Sequence, residues 1–520
     1  MSRPTHPKKP MFSSPRFLGR SLGVTALALL ACVTIRADVA LAPLFRDGAV
    51  LQREKPLPIW GTAAPGESVA VKFHAQAATA VAGADGRWRV TLAPEPASAQ
   101  PAVLIVSGTN VVWVRDVLVG DVWLCSGQSN MEFRLAQGSE GKQEIAAANH
   151  PLLRHFKIPH TVADAPAASC VGEWQTCTPE TAGEFTAVGF FFARDLQQKL
   201  NVPIGLIGCN WGGTQIESWM SDAALQADPA ARIIFERWQE VLRTYPDKLA
   251  THKGGLEKWE QEQAAAKAAG KPFTRRRPAT PEGPGSRWQP SGMYNAMVAP
   301  LMPAALRGVL WYQGEANGSR AAEYRTLFPG LIRQWRADFG QGDLPFYFVQ
   351  LANFERKVDK TDQEWAFLRE AQAVALALPA TGMAVTIDVG NPGNIHPTDK
   401  KSVGERLARH AQAQLFGEKI ETDGPVFAGA RAEGAALRVS FTHADGLQLK
   451  PAVQTLPAFE LAGADGKFHP ATAVVEGRTL LVTASGVSQP AAVRYAWRNS
   501  PFACLFNSAG LPASPFRSDE

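Results

Sequence analysis

The 520-residue chain lacks any apolar run long enough to cross a bilayer, which takes about 20 residues. It has only 6 cysteines, too few for a disulfide-built scaffold, and none is spaced as in a zinc site. His150, His155 and His160 stand five apart, so no two share a helical face and a metal site is not expected. The folded part also lacks surplus positive charge. The formal charge is +5, but residues 1–37 hold Arg3, Lys8, Lys9, Arg16, Arg20 and Arg36 with no acidic residue. The remainder carries 47 basic against 48 acidic residues, which excludes the basic footprint of a nucleic-acid partner.

Residues 1–37 read as a secretory signal. Arg16 and Arg20 precede the apolar run Leu22–Val33, and the small Ala37 lies just before Asp38. The expected location is periplasmic or extracellular. Leu29-Leu30-Ala31-Cys32 roughly fits a lipid-attachment site at Cys32, although the bulky Leu30 fits poorly, so simple cleavage is the preferred reading. Cleavage would leave Cys125, Cys170, Cys177, Cys209 and Cys504. That odd number cannot pair fully; Cys170 and Cys177 could pair, while Cys125 and Cys209 end apolar runs and read as buried.

Hydrophobic residues at 45% and charged ones at 19% describe a globular protein with a large core, and the length calls for two or three folding units. Residues 38–115 alternate as β-strands around turns such as Ala84-Asp85-Gly86. Residues 116–416 change character. Buried-strand runs at Val117–Cys125, Ile204–Cys209, Gly308–Tyr312, Phe346–Leu351 and Met383–Val389 alternate with helical stretches at Phe191–Leu200, Tyr324–Phe339, Trp365–Leu378 and Lys401–Leu415. That pattern predicts a parallel sheet covered on both faces, with its site beyond the carboxyl ends of the strands. An insert over 222–291 contains an exposed helix at Glu257–Ala269 and a Pro/Gly/Arg loop. Residues 417–520 return to β.

The candidate chemistry sits on those strand ends. Asp121–Cys125 runs into Ser126-Gly127-Gln128-Ser129-Asn130-Met131, a buried strand, a sharp turn and a serine. Ser129 is either a nucleophile or only a helix N-cap. The Gly-x-Ser-x-Gly elbow is absent, because Met131 stands where its last glycine belongs. Asn210-Trp211-Gly212-Gly213-Thr214 follows a second strand and can turn an N–H toward an oxyanion. Trp311-Tyr312-Gln313-Gly314-Glu315-Ala316-Asn317 follows a third and offers an amide and a carboxylate. Asn394-Ile395-His396-Pro397-Thr398-Asp399-Lys400 follows a fourth and offers an imidazole. Lys400 reads equally as a partner for a substrate carboxylate or as a solvent-exposed helix start.

Serine, glycine, asparagine and histidine in this order resemble the SGNH hydrolases, and more closely the sialate O-acetylesterase family. The resemblance extends to Tyr294-Asn295-Ala296-Met297, Trp365 to Gln372 and Arg494-Tyr495-Ala496-Trp497. It implies an α/β fold: a flavodoxin-like three-layer core flanked by N- and C-terminal β-sandwich-like domains. It also implies a serine esterase without cofactor or metal. Ser129 would attack an acetyl ester and His396 would carry its proton. The Ser129 and Gly213 N–H groups with the Asn317 amide would form the oxyanion hole. Gln128, Trp211 and Gln313 are candidate substrate contacts. The aspartate that many SGNH hydrolases place three residues before the histidine is missing, since Gly393 occupies that position. Glu315 is the first choice to replace it and Asp388 the second, and a Ser–His dyad is the third reading. The partner would be an O-acetylated carbohydrate, either sialic acid or a hemicellulose such as xylan or xyloglucan. A non-catalytic carbohydrate-binding protein is the remaining alternative.

Overall fold

The structure is a computed structural model that describes residues 38–450 and 458–519. The expected leader and Cys32 lie outside the described residues. Among the described residues no helix is long and apolar enough to cross a membrane.

The central sheet is built from β1 (Val111–Gly127), β2 (His150–Lys157), β3 (Trp174–Cys177), β4 (Ile204–Asn210), β5 (Gly308–Tyr312), β6 (Phe346–Val349) and β7 (Thr381–Ala384). Its order is β3-β2-β4-β1-β5-β6-β7. All neighbours are parallel except the β3/β2 pair. Strands β4, β5 and β6 are buried at every residue, as their unbroken apolar runs require.

The main helices are α1 (Ser129–Glu132), α2 (Ala187–Leu200), α3 (Arg232–Ala268), α4 (Ala321–Phe339), α5 (Glu364–Ala373) and α6 (Lys401–Phe416). Alternation along the strands sends side chains both ways. Trp123 packs edge-on against Phe192 of α2. Trp311, level with Ser126 on the next strand, packs against Phe328 and Trp335 of α4. The insert differs from its sequence reading. Its helix is 37 residues long and starts at Arg232, passing through Pro246, a residue that reads as a helix breaker. Ile234 is its one fully buried residue.

The expected boundary at 115/116 falls inside one continuous strand. The first part of β1 pairs with Ser98–Ser107 and Val50–Gln52, and the rest enters the parallel sheet. Asp121, buried where β1 becomes central, is held by Arg53 at 2.9 Å and Arg307 at 2.7 Å. The described strands between Val426 and Arg517 form a seven-stranded antiparallel sheet and a two-stranded one. Arg369 of α5 ties this region to the core. Its guanidinium, fully buried, donates to the carbonyls of Leu351, Ala352, Arg498 and Asn499. Burial draws its pKa down to about 9. All five described cysteines are free, so Cys170 and Cys177 are not paired; Cys125 and Cys209 are buried as expected.

Candidate active site

Three strand ends are level. Gly127 of β1 stands opposite Asn210 of β4 on one side and Tyr312 of β5 on the other. Only glycine fits there: its φ is +130° and a Cβ would lie 2.2 Å from the Tyr312 carbonyl oxygen. The turn it permits starts α1 at Ser129. From the far end of the sheet, the loop after β7 brings in His396, whose Nε2 lies 2.8 Å from Ser129 Oγ. The two are 267 residues apart in sequence. Gln128, not Ser129, occupies the N-cap position of α1.

His396 is held through its own backbone. Its N–H donates to Asn394 Oδ1 at 3.0 Å, and the preceding carbonyl, of Ile395, accepts from Asn130 Nδ2 at 3.0 Å. The expected carboxylate contact is not made: among the described residues no Asp or Glu side chain hydrogen-bonds the imidazole. Glu315 instead accepts from Asn130 Nδ2 at 2.5 Å, and its Oε2 has no partner. Asp388 lies in a turn after a strand that ends at Ala384, and Arg406 takes both its oxygens at 2.7 and 2.6 Å. Each carboxylate is captured by a nearer donor. Burial, then the charge of Lys400, pushes the His396 pKa below the usual histidine value.

Lys400 is neither solvent-exposed nor in the cleft. It is fully buried, donates to Asn130 Oδ1 at 2.6 Å and lies over the rings of Phe133 and Tyr312. Burial lowers its pKa to about 7, against the opposing pull of Glu315 and Asp399. Burial likewise raises the Glu315 pKa, with the Asn130 hydrogen bond opposing. Asn130 thus bridges a buried ammonium and a buried carboxylate, and a carboxamide is suited to this because one end accepts and the other donates.

The N–H groups of Ser129 and Gly213, in the turns that follow the level strand ends, are among those with no intramolecular hydrogen-bond partner among the described residues. Gly213 has a φ of +73°, which glycine adopts without strain. The other expected site residues lie behind this surface. Asn317 has no exposed surface; its Oδ1 accepts from Ile216 N and Gln313 Nε2, and its Nδ2 donates to Glu217. The Asn317 amide therefore braces the Gly213 loop from inside rather than facing the cleft. Gln313 is also fully buried, donating to Thr214 O, and Gln128 accepts from the N–H groups of Gly314 and Ala316. Neither is placed to touch substrate; their amides satisfy backbone groups where the strands end. Trp211 stays at the surface, stacked on His160 at 4.4 Å.

Ser129 and His396 open into a cleft of about 710 Å³, also lined by Glu132, Phe133, Arg134, Lys157 and Glu184. Sequence reasoning passed over Asn130, Glu132 and the burial of Lys400. The signal for Glu132 was present, since it stands three residues after Ser129 and so on the same side of a helical turn. Among the described residues one group has metal-like spacing, Glu421, Asp423 and His443, and none of His150, His155 and His160 belongs to it. His155 is buried instead, which drives its pKa to about 3.

A serine–imidazole pair beside two free N–H groups, at the carboxyl edge of a parallel sheet, is the apparatus of a carboxylic-ester hydrolase. The family described as "Carbohydrate esterase, sialic acid-specific acetylesterase" matches residues 119–248 and 283–413. Rat sialate O-acetylesterase is 31% identical over 96% of this chain and 98% of its own, and the human protein is 29% identical over 91% of each. The crystal structure of a carbohydrate acetylesterase from Xanthomonas citri is 41% identical, covers 92% of this chain and 99% of that one, and superposes with a TM-score of 0.78. The chain belongs to the sialic acid-specific acetylesterase family of carbohydrate esterases.

Proposed function

We propose that the protein removes O-acetyl groups from sialic acids by a Ser129–His396 dyad within an SGNH-type three-layer core. The 2.8 Å contact between Ser129 Oγ and His396 Nε2 carries this reading. Ser129 Oγ attacks the acetyl carbonyl while His396 Nε2 takes its proton. The oxyanion forms against the Ser129 and Gly213 N–H groups, each donor contributing about 3–4 kcal/mol to such intermediates. Collapse expels the sugar alkoxide, which takes the proton from His396. Water, deprotonated by His396, then releases acetate from Ser129. Glu315 acts through Asn130, which fixes Ile395 and so the imidazole, rather than as the third member of a triad. The composition of residues 1–37 supports export to the periplasm or beyond.

Acetylated hemicellulose is the second reading. It is supported by the 41% identity to an enzyme described as a carbohydrate acetylesterase and by the open cleft of about 710 Å³. Acetate release from O-acetylated sialic acid, compared with acetylated xylan and xyloglucan, separates the two. The Ser129→Ala variant tests the mechanism and should lose activity by about 10⁴-fold or more. Retained activity would refute it and favour a different nucleophile.

A further inference from the structure

Among the charged side chains of the cleft that take no part in the proton transfers above, Glu132 stands nearest to Ser129 in the sequence. Glu132 ends α1, three residues after Ser129, and both its oxygens are engaged. Oε2 accepts the Gly212 N–H at 2.7 Å, and Oε1 meets His160 Nε2 at 2.7 Å. His160 in turn lies flat on Trp211, at 4.4 Å and 5°. The Trp211 N–H donates to Gly127 O at 3.1 Å, the residue that turns the chain toward Ser129. Burial disfavours the Glu132 charge, yet the His160 hydrogen bond and charge, the Gly212 N–H and Lys157 outweigh it and hold the pKa below the usual value.

These contacts converge on one loop. Gly212 approaches the nucleophile closely: a Cβ there would lie 3.1 Å from Ser129 Cβ and 3.3 Å from Glu132 Oε2. The next N–H along the chain is that of Gly213, which has no intramolecular partner among the described residues. Glu132 fixes the Trp211–Gly212 peptide. The Gly213 N–H lies on the next peptide plane, joined to the first at Gly212 Cα, so holding the first anchors the start of the segment that carries the second. We infer that Glu132 is a positioning residue, a clamp that joins the nucleophile turn to the Gly212–Gly213 loop and aims the Gly213 N–H at the oxyanion. His160, seated on Trp211, holds the clamp's other oxygen. This rests on the reading of Ser129 as nucleophile and Gly213 as oxyanion donor.

The clamp's contribution belongs to the transition state, since the ground-state ester carbonyl needs the Gly213 donor less than the oxyanion does. Glu132→Ala should therefore lower kcat for p-nitrophenyl acetate about 100-fold with KM within about twofold. The rate of inactivation by an organophosphonate, whose tetrahedral adduct bears the same oxyanion, should fall by a similar factor. Glu132→Gln keeps an acceptor for Gly212 and should recover at least tenfold of the lost kcat. Should Glu132→Ala fail to fold, Glu132→Met fills the volume without an acceptor and should show the same loss. A kcat within threefold of wild type in the Ala or Met variant would overturn the clamp. So would a loss confined to KM, or a Gln variant no better than Ala. Wild-type activity in Ser129→Ala would instead remove the nucleophile reading, and the clamp with it.

Discussion

Replacing Asn130 with alanine probes the support beneath the dyad. The side chain is buried and makes three hydrogen bonds: to Glu315 at 2.5 Å, to the Ile395 carbonyl at 3.0 Å, and from Lys400 at 2.6 Å. Two involve ionisable partners, worth about 1.5–3 kcal/mol each, and the third about 1 kcal/mol. The sum overstates the loss. Lys400 already has a pKa of about 7 and the Glu315 pKa is raised, so both can neutralise cheaply once unpaired. A loss of about 3 kcal/mol in stability is expected, read as a lower denaturation midpoint in urea. With the Ile395 carbonyl released, His396 loses one of its two backbone tethers, and kcat on p-nitrophenyl acetate should fall about 10- to 100-fold. Asn130→Asp keeps the acceptor for Lys400 but turns a second carboxylate toward Glu315. Its destabilisation should shrink as pH falls and the pair takes up a proton. An unchanged midpoint with kcat within twofold for Asn130→Ala would refute the network as a support for catalysis.

The general base must be neutral, so kcat/KM should fall as pH drops through the His396 pKa, with a midpoint below 6.5 because burial and Lys400 depress it. Lys400→Met removes that charge and should move the acid limb upward, and a midpoint above 6.5 in the wild type would contradict the assignment. Asp388→Asn breaks the Arg406 pair and should cost about 2 kcal/mol of stability, measured by denaturation, while leaving kcat within about threefold. Glu315→Gln should lower kcat further than Asp388→Asn does; the reverse order would return Asp388 to the site. A chelator should leave hydrolysis of p-nitrophenyl acetate unchanged, and loss restored by added divalent metal would overturn the metal-free mechanism.

The sequence by itself brought a serine and an imidazole to one edge of the sheet. Apolar runs of strand length alternating with helical stretches determined a parallel sheet, because such strands must be covered on both faces. Turn residues after those runs put Ser129, Gly213 and His396 on one edge. Local chemistry was enough for this, since a buried strand followed by a glycine turn specifies its own geometry. What it could not determine was which polar groups meet behind that edge. Asn317, Gln313 and Gln128 were expected in the oxyanion hole or against substrate, yet the ends of several buried strands leave backbone groups that need partners, and these amides supply them. The choice between Glu315 and Asp388 was likewise out of reach. It depended on Asn130 and Arg406, donors from other parts of the chain that lie closer to each carboxylate than His396 does. Lys400, an ordinary helix-start lysine by its neighbours, became a buried ammonium only through the packing of Phe133, Tyr312 and Asn130 around it. Backbone geometry set by a strand and its turn is written in the sequence, whereas side-chain partners, whether 18 residues apart as Asp388 and Arg406 or 270 apart as Asn130 and Lys400, are chosen by the competition among donors and acceptors that packing creates.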